Sequence, residues 1–182
     1  MCALHGLLLF DLSDVGLAFI GIQEAIADAR GKGGIPDRIL RDLQTDGRMT
    51  NVELAKRIGI SAPPCLRRVR ALEESNVIRG YHADINPDAM GYSVTVFAFV
   101  GLSSQAEHDL KEFEKTVAQW PEVLECHMLV GETDFLLKIM AQDWDSFQVF
   151  LTSKLTPAPN VSHVKTALVI RSGKAGNGVP IE

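Results

Sequence analysis

The sequence predicts an α+β protein with two domains, a winged helix-turn-helix domain followed by a ferredoxin-like domain of order βαββαβ. The 182 residues are enough for two small domains. Apolar residues recur at helical spacing in the first half, whereas strand and helix patterns alternate in the second half. The first domain is predicted over residues 35–84 and the second over 85–172. Residues 1–34 form an N-terminal extension of unassigned role, and 173–182 form a C-terminal tail.

The charge distribution indicates one nucleic-acid-facing element on an acidic body. The net charge of −5 excludes a uniformly basic surface. Residues 35–84 hold nine basic and seven acidic groups, whereas the segments before and after them are both net acidic. Residues 61–70 hold three arginines and no acid. A local basic patch of this kind is typical of an element that binds DNA.

Other features of the sequence bear on its compartment. The three cysteines form no CxxC pair, so a disulfide framework is not predicted. No apolar run is long enough to cross a membrane. The first basic residue, Arg30, follows the apolar N-terminal stretch instead of preceding it, which argues against a secretory signal. We therefore expect a cytoplasmic protein without a membrane partner.

The first two helices of the first domain have clear start signals. Pro36 suits the first turn of a helix that ends near Asp46. Thr50, with Glu53 three residues later, matches the capping box that begins a second helix. Gly59 ends this second helix. Its predicted inner face consists of Val52, Leu54, Ala55 and Ile58.

A third helix is predicted over residues 61–74, with Ser61 as its cap and Pro63 in its first turn. Two helices joined by a short turn that contains glycine, the second of them rich in arginine, are typical of a helix-turn-helix. The third helix is therefore the candidate recognition helix. The residues predicted to face inward are Leu66, Val69 and Leu72.

The candidate DNA contacts lie mainly near the start of this helix, where recognition helices reach the bases. We expect Arg67 and Arg68 to face the DNA and Arg70 to contact phosphate. Thr50 and Asn51 are expected to donate to phosphate from the second helix, in addition to capping it. The full set of candidates is Thr50, Asn51, Ser61, Ala62, Pro63, Pro64, Arg67, Arg68, Arg70 and Arg79.

Residues 77–84 are predicted to form the β-ribbon of a wing, and Arg79 belongs to this segment. Tyr81 either packs beneath the ribbon or touches the DNA backbone, and the sequence does not decide between the two. Outside the domains, residues 22–30 suggest one short helix.

The second half alternates between strands and helices in the order βαββαβ, which is typical of a ferredoxin-like domain. A tight turn, Gly131-Glu132-Thr133, joins the two middle strands. The predicted strands cover residues 94–102, 123–130, 135–141 and 160–170, and the predicted helices cover 105–120 and 144–151.

The first strand of this domain is apolar on both faces. Phe97 and Phe99 lie on the face opposite Val96 and Ala98. One face is expected to cover the two helices, and the other to meet a second copy of the chain. Dimers also suit DNA binding, because they read two half-sites about one helical turn apart.

Segments of both domains resemble a known family. Residues 39–55 and 61–73 carry its helix-turn-helix pattern, and residues 125–138 (ECHMLVGETDFLLK) carry its ligand-domain pattern. Over about residues 35–172 the chain closely resembles the leucine-responsive and asparagine-responsive (Lrp/AsnC) bacterial regulators. The N-terminal extension has no recognised counterpart, and Gly33-Gly34-Ile35-Pro36 departs from the acidic, arginine-bearing start usual in that family.

The resemblance implies a transcriptional regulator that senses an amino acid and associates into dimers and octamers. Members of the family bind amino acids at the turn that corresponds to Gly131–Asp134, at contacts between dimers. From the residues alone, this turn is either an ordinary hairpin or a site whose amides receive a carboxylate while Asp134 accepts an amino group. The implied effector contacts are His127, Leu129, Val130, Gly131, Glu132, Thr133 and Asp134.

Two other functions stay open from the sequence. The first is an architectural DNA-binding protein without an effector. The second is a subunit that resembles the sirohaem decarboxylases in fold, although the arginine-rich third helix argues against it. The sequence holds no catalytic constellation, no metal-ligand spacing and no cofactor motif, and Cys126 and His127 point to opposite faces of one strand. We therefore predict a regulator that is not an enzyme, without a cofactor or a metal.

Overall fold

The computed structural model describes residues 34–174, 176 and 178–181, so the helix suggested around residues 22–30 lies outside the described residues. The chain divides into two compact units. The first unit holds the described residues up to Ala83 together with those from Gly176 onward, and the second holds the residues between them. No described helix is long and apolar enough to cross a membrane.

In the described part of the first unit, three helices surround one apolar core. They are α1 (Ile35–Thr45), α2 (Asn51–Ile58) and α3 (Ala62–Glu74). As predicted, α1 has a proline in its first turn, and α2 begins with the capping box and ends at Gly59, whose φ of 78° suits glycine. The inward stripes of the three helices share one core. This core consists of Ile39, Leu54, Ala55, Ile58, Cys65 and Leu72.

Two apolar residues that were predicted to face this core are exposed instead. Val52 is 68% exposed and Leu66 is 37% exposed. In α3 the inward position is taken by Cys65, and the next residue points about 100° away from it. In α2 the buried stripe begins at Leu54, two residues after Val52. The helical period was predicted correctly in both helices, but its phase was wrong at these two positions.

The predicted β-ribbon at residues 77–84 is not formed. No strand is present in the described chain between α3 and Val94. The N–H group of Ile78 donates to the Leu72 carbonyl, and Val77 and Ile78 pack against the helical core. Because these apolar residues cover the helices, the segment that follows α3 is irregular rather than paired as a ribbon.

Tyr81, also in this segment, packs on the protein. Its hydroxyl donates to Glu73 Oε1 at 3.0 Å. Burial, together with this hydrogen bond to a carboxylate, raises the pKa of Tyr81 to about 12. The ring also lies against Gly47, where an added Cβ would approach Tyr81 Cδ1 to 3.3 Å. Tyr81 therefore packs against Glu73 and Gly47 while 46% of its surface stays exposed, and no ribbon of the described chain lies over it. A contact of Tyr81 with the DNA backbone stays a prediction.

The last described residues of the tail pair with the end of α1. Gln44 Nε2 donates to the Val179 carbonyl at 2.9 Å, and the Val179 N–H group donates to Gln44 Oε1 at 3.1 Å. Gly178 lies so close to this amide that a Cβ there would collide with the Gln44 side chain. The sequence predicted only a C-terminal tail here, whereas the structure shows that this tail bonds α1 of the first unit.

The second unit is an antiparallel sheet of four strands with two helices. Its strands are ordered β2-β3-β1-β4, and a π-helical turn, Leu151–Leu155, extends the second helix. The βαββαβ order is confirmed, although α4, β2 and β4 are shorter than predicted at their ends. The elements are β1 (Val94–Leu102), α4 (Glu107–Val117), β2 (Val123–Met128), β3 (Phe135–Ala141), α5 (Trp144–Phe150) and β4 (Val161–Leu168).

The two faces of β1 differ as predicted. Val96 and Ala98 are buried in the core beneath the helices. Phe97 and Phe99 are half-buried on the other face. Phe97 pairs with Lys138 and Phe99 with Leu136 of β3, and directly opposed residues of antiparallel strands share a face. The open face of the sheet therefore carries a central aromatic and aliphatic stripe.

Candidate functional site

The start of α2 uses its polar groups within the protein. Thr50 Oγ1 accepts a hydrogen bond from the Glu53 N–H group at 3.2 Å, and its hydroxyl donates to Glu53 Oε2 at 2.8 Å. The Thr50 N–H group donates to the same carboxylate oxygen at 3.0 Å. These hydrogen bonds from Thr50, first the side-chain one and then the backbone one, hold the pKa of Glu53 below its usual value.

Asn51 links α2 to the start of α3. Its Nδ2 donates to the Ala62 carbonyl at 2.9 Å, and its buried Oδ1 has no partner among the described residues. The phosphate-donor role predicted for Thr50 does not fit this arrangement, because its hydroxyl and its N–H group both donate to Glu53. Asn51 Nδ2 uses one of its two N–H groups on Ala62, so its phosphate role stays a prediction. The Glu53 carboxylate also places a negative charge where a helix N-terminus would otherwise attract phosphate.

The start of α3 is different. Ser61 occupies the predicted cap position, but its side chain makes no capping hydrogen bond. A cap side chain accepts from the N–H group of the second or third helical residue. Those residues are Pro63 and Pro64, which have no N–H group. Ser61 and Pro63 are exposed, whereas Ala62 and Pro64 are half-buried.

The arginines of α3 fall into two groups. Arg67 and Arg70 are exposed on the side of the helix opposite the core. Arg68 is half-buried, and its Nη1 donates to the Pro64 carbonyl at 3.2 Å. Arg79 is exposed in the irregular segment after α3. The structure therefore brings Pro63, Arg67 and Arg70 onto one exposed side of α3, whereas Ser61 is exposed at the helix start and Arg68 lies away from that side.

The turn between β2 and β3 is anchored by a buried carboxylate. Asp134 is only 9% exposed. Its Oδ2 accepts from the Leu102 N–H group at 2.6 Å and its Oδ1 accepts from Gln105 Nε2 at 2.8 Å. Its own N–H group donates to the Val100 carbonyl at 3.0 Å. Asp134 thus fixes the turn to the end of β1, which does not fit its predicted role as acceptor of an amino group.

The rest of this turn is open to solvent. Val130 is fully exposed, at 103% of the reference area, and Gly131 has a φ of 152°, which side chains rarely adopt. Leu129 closes the turn, since its N–H group donates to the Asp134 carbonyl at 2.8 Å. Within the described chain, the N–H groups of Gly131, Glu132 and Thr133 have no protein acceptor. Such free amides in a tight turn suit an anionic group.

His127 lies on the open face of the sheet, and not among these amides. It pairs with Leu136 across β2 and β3, and its Nε2 lies 3.2 Å from Glu125 Oε2. Lys138 Nζ bonds the other oxygen of Glu125 at 2.7 Å. The predicted effector residues therefore divide between the turn and the sheet face.

Sequence reasoning missed the loop that supports the turn. Gln105 follows β1 and bonds Asp134, while Asn160 precedes β4 and bonds Ser104 twice, through Oδ1 at 2.9 Å and Nδ2 at 2.8 Å. Asn160 also has a φ of 67°. An asparagine directly before a strand was the available signal, since asparagine tolerates the left-handed conformation, but nothing in the spacing pointed to Gln105.

One group of possible metal ligands lies on α4. One ligand atom from each of His108, Asp109 and Glu112 lies within 4.8 Å of the others. His108 and Glu112 are exposed, and Asp109 bonds Ser104. The sequence analysis did not identify this cluster, which touches the loop that supports the turn, because Ser104 lies next to Gln105.

The comparisons with known proteins agree with this geometry. A family model described as winged helix-turn-helix DNA-binding matches residues 38–79. A second, described as Lrp/AsnC ligand binding domain, matches residues 95–179. Together they cover α2, α3 and nearly all of α1 and of the sheet.

Similar proteins are regulators. The leucine-responsive regulatory protein of Rhizobium meliloti is 55% identical over 137 residues, which are 75% of this chain and 88% of that protein. The Bkd operon transcriptional regulator of Pseudomonas aeruginosa is 35% identical over 79% of this chain and 94% of its own. These relatives exclude the decarboxylase alternative, so the protein is a regulator and not an enzyme.

Solved structures show the same architecture. A transcriptional regulator from Neisseria meningitidis in complex with L-methionine has a TM-score of 0.78 and 34% identity, covering 81% of this chain and 96% of that one. A feast or famine regulatory protein from M. tuberculosis, also with L-methionine, has a TM-score of 0.74 and 28% identity, covering 81% and 97%. The chain described here belongs to the Lrp/AsnC family of effector-responsive, DNA-binding transcriptional regulators.

Proposed function

We propose that this regulator binds duplex DNA in the cytoplasm through the exposed surface of α3 and responds to an amino acid at the turn between β2 and β3. The observation that carries the DNA-binding part is the exposed pair Arg67 and Arg70 on the side of α3 opposite the core. Arginine is the side chain best suited to read guanine in the major groove, which admits one α-helix. Arg68, whose Nη1 donates to the Pro64 carbonyl, and the exposed Arg79 are proposed to contact phosphate beside that helix.

The effector part rests on the exposed turn. The free N–H groups of Gly131, Glu132 and Thr133 would receive the carboxylate of an amino acid. Asp134 keeps the turn in shape from beneath. Two structurally similar regulators are complexes with L-methionine, so L-methionine is the first amino acid to test.

Assembly is the third part of the proposal. The open face of the sheet carries Phe97, Phe99 and Leu136, an apolar surface that suits a second copy of the chain. Dimers formed through this face would present two copies of α3 to two half-sites. We further propose that dimers associate into octamers, so that the effector turn lies at contacts between dimers.

Thermal unfolding with each of the twenty amino acids tests the effector part. A ligand at about 100 times its dissociation constant adds about 2.7 kcal/mol to stability, which gives a clear rise in melting temperature. Gly131→Val should remove the response, because it forces a β-branched residue into the 152° conformation. Gly91→Val is the matched control, since Gly91 also has a positive φ and open space but lies outside the turn.

The outcomes separate the candidate functions. A shift with one amino acid that survives in Gly91→Val and disappears in Gly131→Val supports the proposed site. If no amino acid shifts the melting temperature while the protein still binds DNA, the architectural function replaces the sensor. Light scattering tests assembly, and a monomer at micromolar concentration would contradict it.

A further inference from the structure

The two consecutive prolines change what the start of α3 can offer to DNA. A helix N-terminus normally presents several free N–H groups, which bind phosphate. Here Pro63 and Pro64 remove two of them, and the Cys65 N–H group donates to the Ser61 carbonyl at 3.3 Å. The start of α3 is therefore poor in backbone donors and carries an apolar ring in their place.

The exposed ring of Pro63 is aligned with the exposed arginines. Residues 63, 67 and 70 of a helix lie within about 60° of one another around its axis. The buried residues Cys65 and Leu72 lie on the opposite side. Along its exposed side, α3 thus presents first an apolar group and then, one turn later, the Arg67 guanidinium.

This order of groups matches a particular order of bases. Thymine is the one base of unmodified DNA that displays a methyl group in the major groove, and apolar side chains recognise it by contact. The residues at the start of a recognition helix are the ones that reach the base edges. Four residues of a helix span about 6 Å, and one base step rises about 3.4 Å, so the two contacts lie about two base pairs apart.

We propose that Pro63 is a specificity-determining residue that contacts a thymine methyl group about two base pairs from the guanine read by Arg67. This inference rests on the proposed function, since it requires α3 to enter the major groove. The Pro64 ring is half-buried and lies outside the exposed side of α3 that carries Pro63 and Arg67. The backbone carbonyl of Pro64 accepts a hydrogen bond from Arg68. Pro64 therefore serves as the matched control.

The test combines a change in the DNA with a change in the protein. A duplex is selected from a random-sequence library with the full-length protein, and each thymine is then replaced by deoxyuridine, which lacks only the methyl group. Affinity is measured by fluorescence anisotropy at one fixed salt concentration. At one thymine in each half-site we expect about a fourfold loss, the effect of withdrawing one methyl-sized group from an apolar contact.

The variants assign this loss to a residue. Pro63→Ala should bind the thymine and deoxyuridine duplexes to within twofold, because the alanine methyl group reaches less far than the ring, whereas Pro64→Ala should keep the fourfold difference. Alanine is a good helix former, so both variants retain α3. Loss of the difference in Pro63→Ala alone is the result we expect.

Two results would overturn the inference while leaving the proposed function in place. One is a selected duplex that tolerates deoxyuridine at every position within twofold. The other is a methyl dependence that persists unchanged in Pro63→Ala. If instead no duplex is enriched by the protein, the proposed DNA binding is itself wrong, and the inference fails with it.

Discussion

The starts of α2 and α3 lie within one helix-turn-helix but are built in opposite ways. At α2, Thr50 and Glu53 satisfy each other through three hydrogen bonds. At α3, Ser61 occupies the same cap position but makes no side-chain hydrogen bond. The two helical positions whose N–H groups could reach it hold Pro63 and Pro64, which have none. One helix start is closed by its own side chains, and the other is left open.

This difference separates stability from recognition. Polar groups that are satisfied inside the protein stabilise the fold but have little left to offer a ligand. An unpaired hydroxyl and an exposed apolar ring contribute little to the fold and remain available for contact. We therefore expect substitutions at the start of α2 to affect unfolding, and substitutions on the exposed side of α3 to affect DNA binding.

The largest effect is expected at Arg67. Arg67→Ala should weaken binding to a selected duplex by about 1–3 kcal/mol and relax the base preference at one position, while unfolding stays unchanged. Arg171→Ala removes the same charge from an exposed arginine near the end of the second unit and serves as the control. A mobility-shift assay at fixed salt measures both variants. If both variants lost the same DNA affinity, the effect of Arg67 would come from net charge and not from reading a base.

A smaller effect is expected at Thr50, and on stability instead of binding. Thr50→Ala removes the cap of α2 and should lower the free energy of unfolding by about 1 kcal/mol. Urea unfolding checks this value. Thr45→Ala is the control, because the Thr45 hydroxyl bonds only the Arg41 carbonyl within its own helix. If Thr50→Ala instead reduced DNA affinity and left the free energy of unfolding unchanged, Thr50 would act as a phosphate contact and not as a cap.

The pH dependence of this cap is the next prediction. The pKa of Glu53 is lowered in the folded protein. At a pH above the ordinary pKa of 4.5, the ionised carboxylate therefore stabilises the fold fully. This contribution is lost as the pH falls through the lowered pKa of the folded protein. The difference in unfolding free energy between the parent and Glu53→Gln should be constant above pH 5 and should shrink at lower pH. Urea unfolding at a series of pH values measures it. A difference that grows on acidification has the opposite sign and would contradict the assignment.

The smallest effect on stability is expected at Ser61. Ser61→Ala should leave the free energy of unfolding unchanged within a few tenths of a kcal/mol, because the hydroxyl caps nothing in the structure. Thermal and urea unfolding check this directly against Thr50→Ala. A loss as large as that of Thr50→Ala would show that Ser61 is a working cap, and that the contrast between the two helix starts does not hold.

The sequence was sufficient to predict the closed helix start but not the open one. The sequence contains both partners of a capping box, a threonine followed three residues later by a glutamate. The predicted capping box of Thr50 and Glu53 is therefore confirmed. Ser61 was predicted as a cap from its residue type alone. The prolines that deprive Ser61 of a donor are visible in the sequence, so the absence of a capping bond follows from residues 63 and 64 themselves.

Other differences required tertiary information. Periodicity gave the inward stripes of α2 and α3 except at Val52 and Leu66, and in α3 the buried position beside Leu66 is taken by Cys65. β-Propensity at residues 77–84 suggested a ribbon, but packing of Val77 and Ile78 on the helices prevails. At the effector turn, the contact between Asp134 and Gln105 joins residues 29 positions apart, which no local pattern reveals.

The hydrogen bonds between Gln44 and Val179 can form only late in the synthesis of the chain. These two residues are 135 positions apart in the chain, and every residue of the sheet lies between them. During synthesis the three helices emerge first, yet the contact at the end of α1 must wait until β4 has left the ribosome. The contact between the tail and α1 is thus available only after the sheet has been synthesised, and a fragment that stops at Ala83 lacks it.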